Sequence, residues 1–113
     1  MTGPELRALC LALPGAREEF PFRPDISVFK VGKKMFALSA LSENPLGVSV
    51  KCEPELGVQL RATYPSIAPG YHLNKRHWLT VTADGTVPDS LVTDLVQGSY
   101  ELVAPKISAR RRR

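Results

Sequence analysis

A chain of 113 residues, 43% hydrophobic and 23% charged, has the size and composition of one ordinary globular domain. No apolar run approaches the ~18 residues a membrane span needs, and Thr2-Gly3-Pro4-Glu5 is no signal-peptide start, so a cytoplasmic, reducing home is expected. The formal charge of +4 is a property of the C-terminus, because residues 1–105 carry ten Lys/Arg against eleven Asp/Glu, a net −1, and the excess comes from Lys106 and Arg110 to Arg113.

Thr2-Gly3-Pro4-Glu5 reads as a helix start, with Pro4 in the first turn and Glu5 three residues after Thr2 as in a capping box. Leu6, Leu9, Cys10 and Leu13 follow at core-facing helical spacing until Pro14-Gly15 ends the pattern. Residues 16–25 are a connector rich in proline and charge. Its Phe20 and Phe22 are clamped by prolines, and the general burial habit of phenylalanine favours plugging the end of the core.

Ile26 to Val31 and Met35 to Leu41 are strand-like runs joined by Gly32-Lys33-Lys34, a hairpin with lysines at its tip. Val48, Val50 and Cys52 alternate with Ser49 and Lys51, giving a third strand with one wet face. Glu53-Pro54-Glu55 opens a second helix with Leu56 and Leu60 as its expected inner edge, and Tyr64-Pro65 closes it. Ser66 to His72 and His77 to Thr82 supply a fourth and a fifth strand, and Asp84-Gly85 a turn. Pro88 begins a last helix carrying Leu91, Val92, Leu95 and Val96, with Gly98 as a candidate kink before Tyr100, Leu102 and Val103.

The expected fold class is therefore α+β, a two-layer sandwich of order α-β-β-β-α-β-β-α. Its mostly antiparallel five-stranded sheet would carry helices packed against it. Residues 1–105 are expected to form the single domain, and 106–113 a disordered basic tail. Cys10 and Cys52 sit inside apolar patterns and read as buried free thiols.

Chemistry concentrates in Pro69-Gly70-Tyr71-His72-Leu73-Asn74-Lys75-Arg76-His77-Trp78, which holds both histidines and the only tryptophan. His72 and His77 are five apart, which matches no common metal spacing, and no third ligand lies nearby in sequence; no metal or cofactor is expected. No serine stands in a glycine-flanked elbow, neither cysteine adjoins a cationic activator, and the isolated glycines make no phosphate loop, so no catalytic constellation is recognisable. Tyr71, His72, Asn74, His77 and Trp78 remain a possible ligand or stacking group. The cations are better organised. Lys30, Lys33 and Lys34 on the hairpin, Lys51 on the next strand and Lys75-Arg76 could together face phosphates. Lysines position a nucleic acid more than they read it, so such binding would be weakly sequence-specific.

The element order and three stretches resemble the MmcQ/YjbR family of small bacterial proteins. These are Phe20-Pro21-Phe22 with Pro24-Asp25, then Val28-Phe29-Lys30-Val31-Gly32 with Lys34-Met35-Phe36-Ala37, and the Pro69-to-Val81 stretch. The resemblance implies a fold like that of type III secretion chaperones, also described as a double-wing arrangement, with a DNA-binding role proposed for the family. Three positions depart from the pattern: Arg23 and Lys33 stand where glycine is usual, and Leu79 where asparagine is usual. The first two add positive charge, and the third removes a polar group beside Trp78. A non-enzymatic DNA-binding domain is the leading expectation. A protein-interaction module, suggested by the chaperone-like layout and the Phe20–Phe22 connector, is the rival, with a small-ligand site around Tyr71 to Trp78 behind both.

Overall fold

The structure, a computed structural model, describes residues 1–70 and 73–104. In chain order these form α1 (Gly3–Leu11), β1 (Arg17–Glu19), β2 (Ser27–Val31), β3 (Lys34–Ser39), β4 (Leu46–Lys51), α2 (Pro54–Thr63), β5 (Ile67–Pro69), β6 (Trp78–Ala83) and α3 (Asp89–Val103). The six strands make one open sheet of order β1-β2-β3-β4-β6-β5 in which every neighbouring pair is antiparallel. The α+β class holds, and the sheet has one strand more than the five expected. The extra strand is β1. Its Arg-Glu-Glu sequence carries no apolar alternation, yet Arg17, Glu18 and Glu19 pair with Lys30, Phe29 and Val28.

Register defines the two faces. Glu18, Phe29, Ala37, Val50, Leu79 and Pro69 form a row on the helix side. Glu19, Val28, Leu38, Ser49, Thr80 and Ala68 form the row on the opposite side. All three helices contribute to one core against the first row, with Leu6, Cys10, Phe29, Phe36, Val50, Leu79 and Val96 among its buried members. α1 starts with the expected capping box between Thr2 and Glu5. It is tied to the sheet by Glu18, which accepts from Arg7 Nε at 2.8 Å and from Ser27 Oγ at 2.7 Å.

α3 runs unbroken for 15 residues through Gly98, the candidate kink position. The α2 inner edge also differs from expectation. Leu56 is exposed, and the helix seats on Gly57 and Leu60 instead. A side chain on Gly57 would touch Leu79 at 3.5 Å, so the missing Cβ lets the helix lie close to β6. Phe20 and Phe22 do not plug the core; they are 53% and 58% exposed. The short pairing of β1 carries the connector to the sheet edge, where both rings are exposed.

A bulge shapes the middle of the sheet. Phe29 faces Ala37 and Lys30 faces Met35, which leaves Phe36 as the extra residue. Phe36 and Ala37 are both fully buried, and the Phe36 ring meets Tyr100 edge-on at 5.4 Å. The β3–β4 ladder ends at Ala37–Val50. At the following position Ser99 of α3 takes over, donating from Oγ to the Phe36 carbonyl at 2.6 Å and accepting from the Lys51 amide at 2.8 Å. One hydroxyl thus stands where a strand-to-strand bond would have been.

Candidate nucleic-acid interface

The hairpin tip, the end of β4 and the start of β6 meet at one end of the sheet. Lys51 pairs with Trp78, and Lys30 pairs with both Arg17 and Met35. Lys33 and Lys34 lie just beyond, exposed at the tip. Lys30 on β2 and Lys51 on β4 stand two strands apart at that end. Lys75 and Arg76 are exposed on the turn that leads into β6. All six cations singled out in the sequence therefore share an end of the sheet. They do not share a face, since Lys30 and Lys51 point away from the helices while Lys34 is paired with the inward Val31.

That end carries carboxylates as well. Glu19 binds Arg17 Nε at 2.8 Å and Lys30 Nζ at 3.1 Å, and these two hydrogen bonds lower its pKa. Lys30 is thus already partnered. Lys33, Lys34, Lys51, Lys75 and Arg76 have no ion pair among the described residues. Glu53 and Glu55 follow β4 on the α2 side. At the far end of the sheet lie Asp25, Glu43 and Asp84. There Arg23 bonds Asp25, and that contact lowers the carboxyl's pKa.

The 74–77 turn is built by Asn74. Its side-chain oxygen accepts from the amides of Arg76 at 3.0 Å and His77 at 3.2 Å, and its carbonyl accepts from Trp78 at 2.9 Å. This Asx-type turn pushes Arg76 outward. The His77 carbonyl then accepts from the Cys52 amide at 2.7 Å, which clips the turn to the start of α2. His77 is half-buried, and Trp78 is buried on the sheet face away from the helices. Gly70 donates to the Trp78 carbonyl at 2.8 Å, and a side chain on Gly70 would fall 2.6 Å from Trp78 Cβ. Tyr71 and His72 lie outside the described residues, as does the tail at 106–113.

Sequence reasoning passed over a groove beside Arg76. It is an open groove of about 320 Å³ lined by Pro54, Glu55, Val58, Arg61 and Arg76. Pro54, Val58 and Arg61 are spaced i, i+4, i+7 along α2, a helical stripe that was legible but whose facing partner was not. Neither thiol is poised for chemistry. Burial, with Glu18 nearby, pushes Cys10 up to about 12, and burial together with Glu53 raises Cys52. Among the described residues no three His, Cys, Asp or Glu side chains gather as metal ligands would, and no helix is long and apolar enough to cross a membrane.

The family model YjbR matches residues 11–102. The chain belongs to the YjbR family. Protein YjbR of Escherichia coli strain K12 is 37% identical over 113 residues, covering all of this chain and 96% of its own. YbdF of Escherichia coli O157:H7 is 36% identical over 104 residues, covering 92% of this chain and 85% of its own. Among solved structures, protein DR2400 of Deinococcus radiodurans, described as a DUF419 domain, is similar with a TM-score of 0.86 and 51% identity over 90% of this chain and 78% of that one. A crystal structure from Pseudomonas syringae has a TM-score of 0.77 and 28% identity over 90% of this chain and 98% of that one. These YjbR-family names specify a lineage and a fold, not a reaction.

Proposed function

We propose that this chain is a non-enzymatic DNA-binding domain that meets the phosphate backbone with the cationic end of its sheet. The observation carrying this reading is that Lys33, Lys34, Lys51, Lys75 and Arg76, drawn from three separate segments, share one end without an ion pair among the described residues. A cation already paired with a carboxylate neutralises little of a phosphate's charge and so frees few of the DNA's counterions, and these five set the electrostatic term. Contact with about five phosphates gives a log K against log salt slope of roughly −4 to −5. Readout of base edges has little support here, and binding is weakly sequence-specific.

The arginines at 110–113 would bind polyanions by themselves, so the test removes them. A chain ended at Ser108 is titrated with labelled duplex at two salt concentrations, alone and as the Lys33→Glu/Lys34→Glu variant. The reading expects salt-dependent affinity that the double variant largely abolishes. It fails if the shortened chain shows no affinity above background.

A second reading, a protein-interaction module, is favoured by one observation. Phe20 and Phe22 are exposed on a proline-rich connector at the sheet edge, a costly display for two aromatic rings. It expects Phe20→Ser/Phe22→Ser to abolish binding to a recovered partner while leaving duplex affinity intact.

A further inference from the structure

The groove between α2 and the 74–77 turn continues the cationic end, and its lining is of two kinds. Pro54 and Val58 are apolar, with Val58 57% exposed, while Arg61 and Arg76 supply guanidinium groups without an ion pair among the described residues. Its position is fixed twice over. The Cys52 amide bonds the His77 carbonyl, and Lys51 pairs with Trp78, so α2 and the turn hold a set separation. A volume of about 320 Å³ is at the small end for ligand pockets and is too narrow for a duplex. An apolar wall beside two planar cations matches the make-up of one nucleotide, a flat base with a charged linkage.

We infer that this groove accepts an unpaired nucleotide of a DNA strand whose flanking phosphates run over the cationic end, a refinement that rests on the DNA-binding reading above. The base packs against Pro54 and Val58, and Arg61 and Arg76 hold the linkage on either side. Glu55 on the rim repels a further phosphate but can accept from a base amino group, as carboxylates do from cytosine. The domain therefore prefers single strands, or duplexes with an overhang, to blunt duplex.

The test uses the full chain, fluorescence anisotropy and one labelled 12-mer, presented single-stranded or annealed to its complement. Wild type is expected to bind the single strand about tenfold more tightly, the scale of one well-held base. The diagnostic variant is Val58→Lys at an exposed position. It adds a positive charge while filling the groove, so simple charge attraction predicts tighter binding of both forms. The groove proposal predicts that single-strand affinity falls and the preference collapses towards one. Arg61→Gln should weaken the single strand several-fold and leave the duplex within twofold.

Equal wild-type affinity for both forms, or tighter binding of both by Val58→Lys, overturns the groove proposal while leaving the phosphate-binding end intact. In the chain ended at Ser108, duplex affinity indifferent to Lys33→Glu/Lys34→Glu overturns the underlying reading instead. Absence of binding to either form overturns both.

Discussion

Ser99→Ala is the most informative single change in the fold. The Ser99 side chain is fully buried and satisfies two backbone groups, the Phe36 carbonyl and the Lys51 amide, at the place where the β3–β4 ladder stops. Removing the hydroxyl leaves the buried Phe36 carbonyl and the partly buried Lys51 amide unpaired, at about 1–3 kcal/mol each. Alanine returns up to roughly 0.5 kcal/mol through its better helix propensity. The expected net loss is about 2–5 kcal/mol, or a fall in Tm of about 8–20 °C for a domain of this size. Urea unfolding followed by circular dichroism measures the free energy, and hydrogen exchange at the Lys51 amide reads the local effect. A loss below about 0.5 kcal/mol with Lys51 still protected would mean that β3 and β4 simply close on each other. The hydroxyl would then be a passenger, and the reasoning about the gap would be refuted.

Three further outcomes are expected. Asp84 accepts from the hydroxyls of Ser66 at 2.5 Å and Thr86 at 2.6 Å and from the Thr86 amide at 3.0 Å, which hold its carboxyl at about 2 against an ordinary 3.8. A depressed carboxyl stabilises the fold above its unfolded pKa and stops doing so as pH falls through the folded one. Asp84→Asn should therefore lower Tm at pH 7, with the gap to wild type closing between about pH 4 and pH 2; a gap that does not change with pH rules this out. Gly70→Ala drives a Cβ into Trp78, which cannot yield without moving its own backbone, and should cost about 1–3 kcal/mol by urea titration. Phe20→Ser and Phe22→Ser should each cost no more than about 1 kcal/mol, whereas Phe29→Ala in the core should cost about 3–5 kcal/mol. A core-sized loss at Phe20 would mean that the connector is packed in solution.

Legibility followed the strength of the local signal. The capping box at Thr2 and Glu5, the lysine-tipped hairpin and the alternation of Val48 to Lys51 all formed as read, because each rests on short-range rules that tertiary packing reinforces. The departures share a cause, namely that the deciding partner lies far along the chain. β1 has no apolar pattern and is a strand only because β2 offers it an edge. Gly57 faces the core through what it lacks, so no hydrophobicity count finds it, and a stripe drawn on apolar residues falls on Leu56. The bulge at Phe36 sets Phe36 and Ala37 on one face, which strict alternation forbids. The cations were visible one by one. Their convergence was not, because it depends on register between strands and not on any single segment.

That convergence on an end, not a face, has a physical logic. A lysine in mid-strand must share its face with cross-strand neighbours, and like charges directly opposite one another are destabilising. Here Lys30 tolerates a position next to Arg17 only because Glu19 bridges the two, which leaves Lys30 with little charge to offer a ligand. The tip, the strand end and the 74–77 turn escape this constraint, since their side chains splay into water. Five cations without an ion pair among the described residues can stand there at little cost to the sheet. Ser99 contributes to the same arrangement from within. Its hydroxyl joins the Phe36 carbonyl to the Lys51 amide where the β3–β4 ladder stops. The strand end that carries Lys51 is thereby tied to α3, and the cationic end of the sheet is anchored in the core.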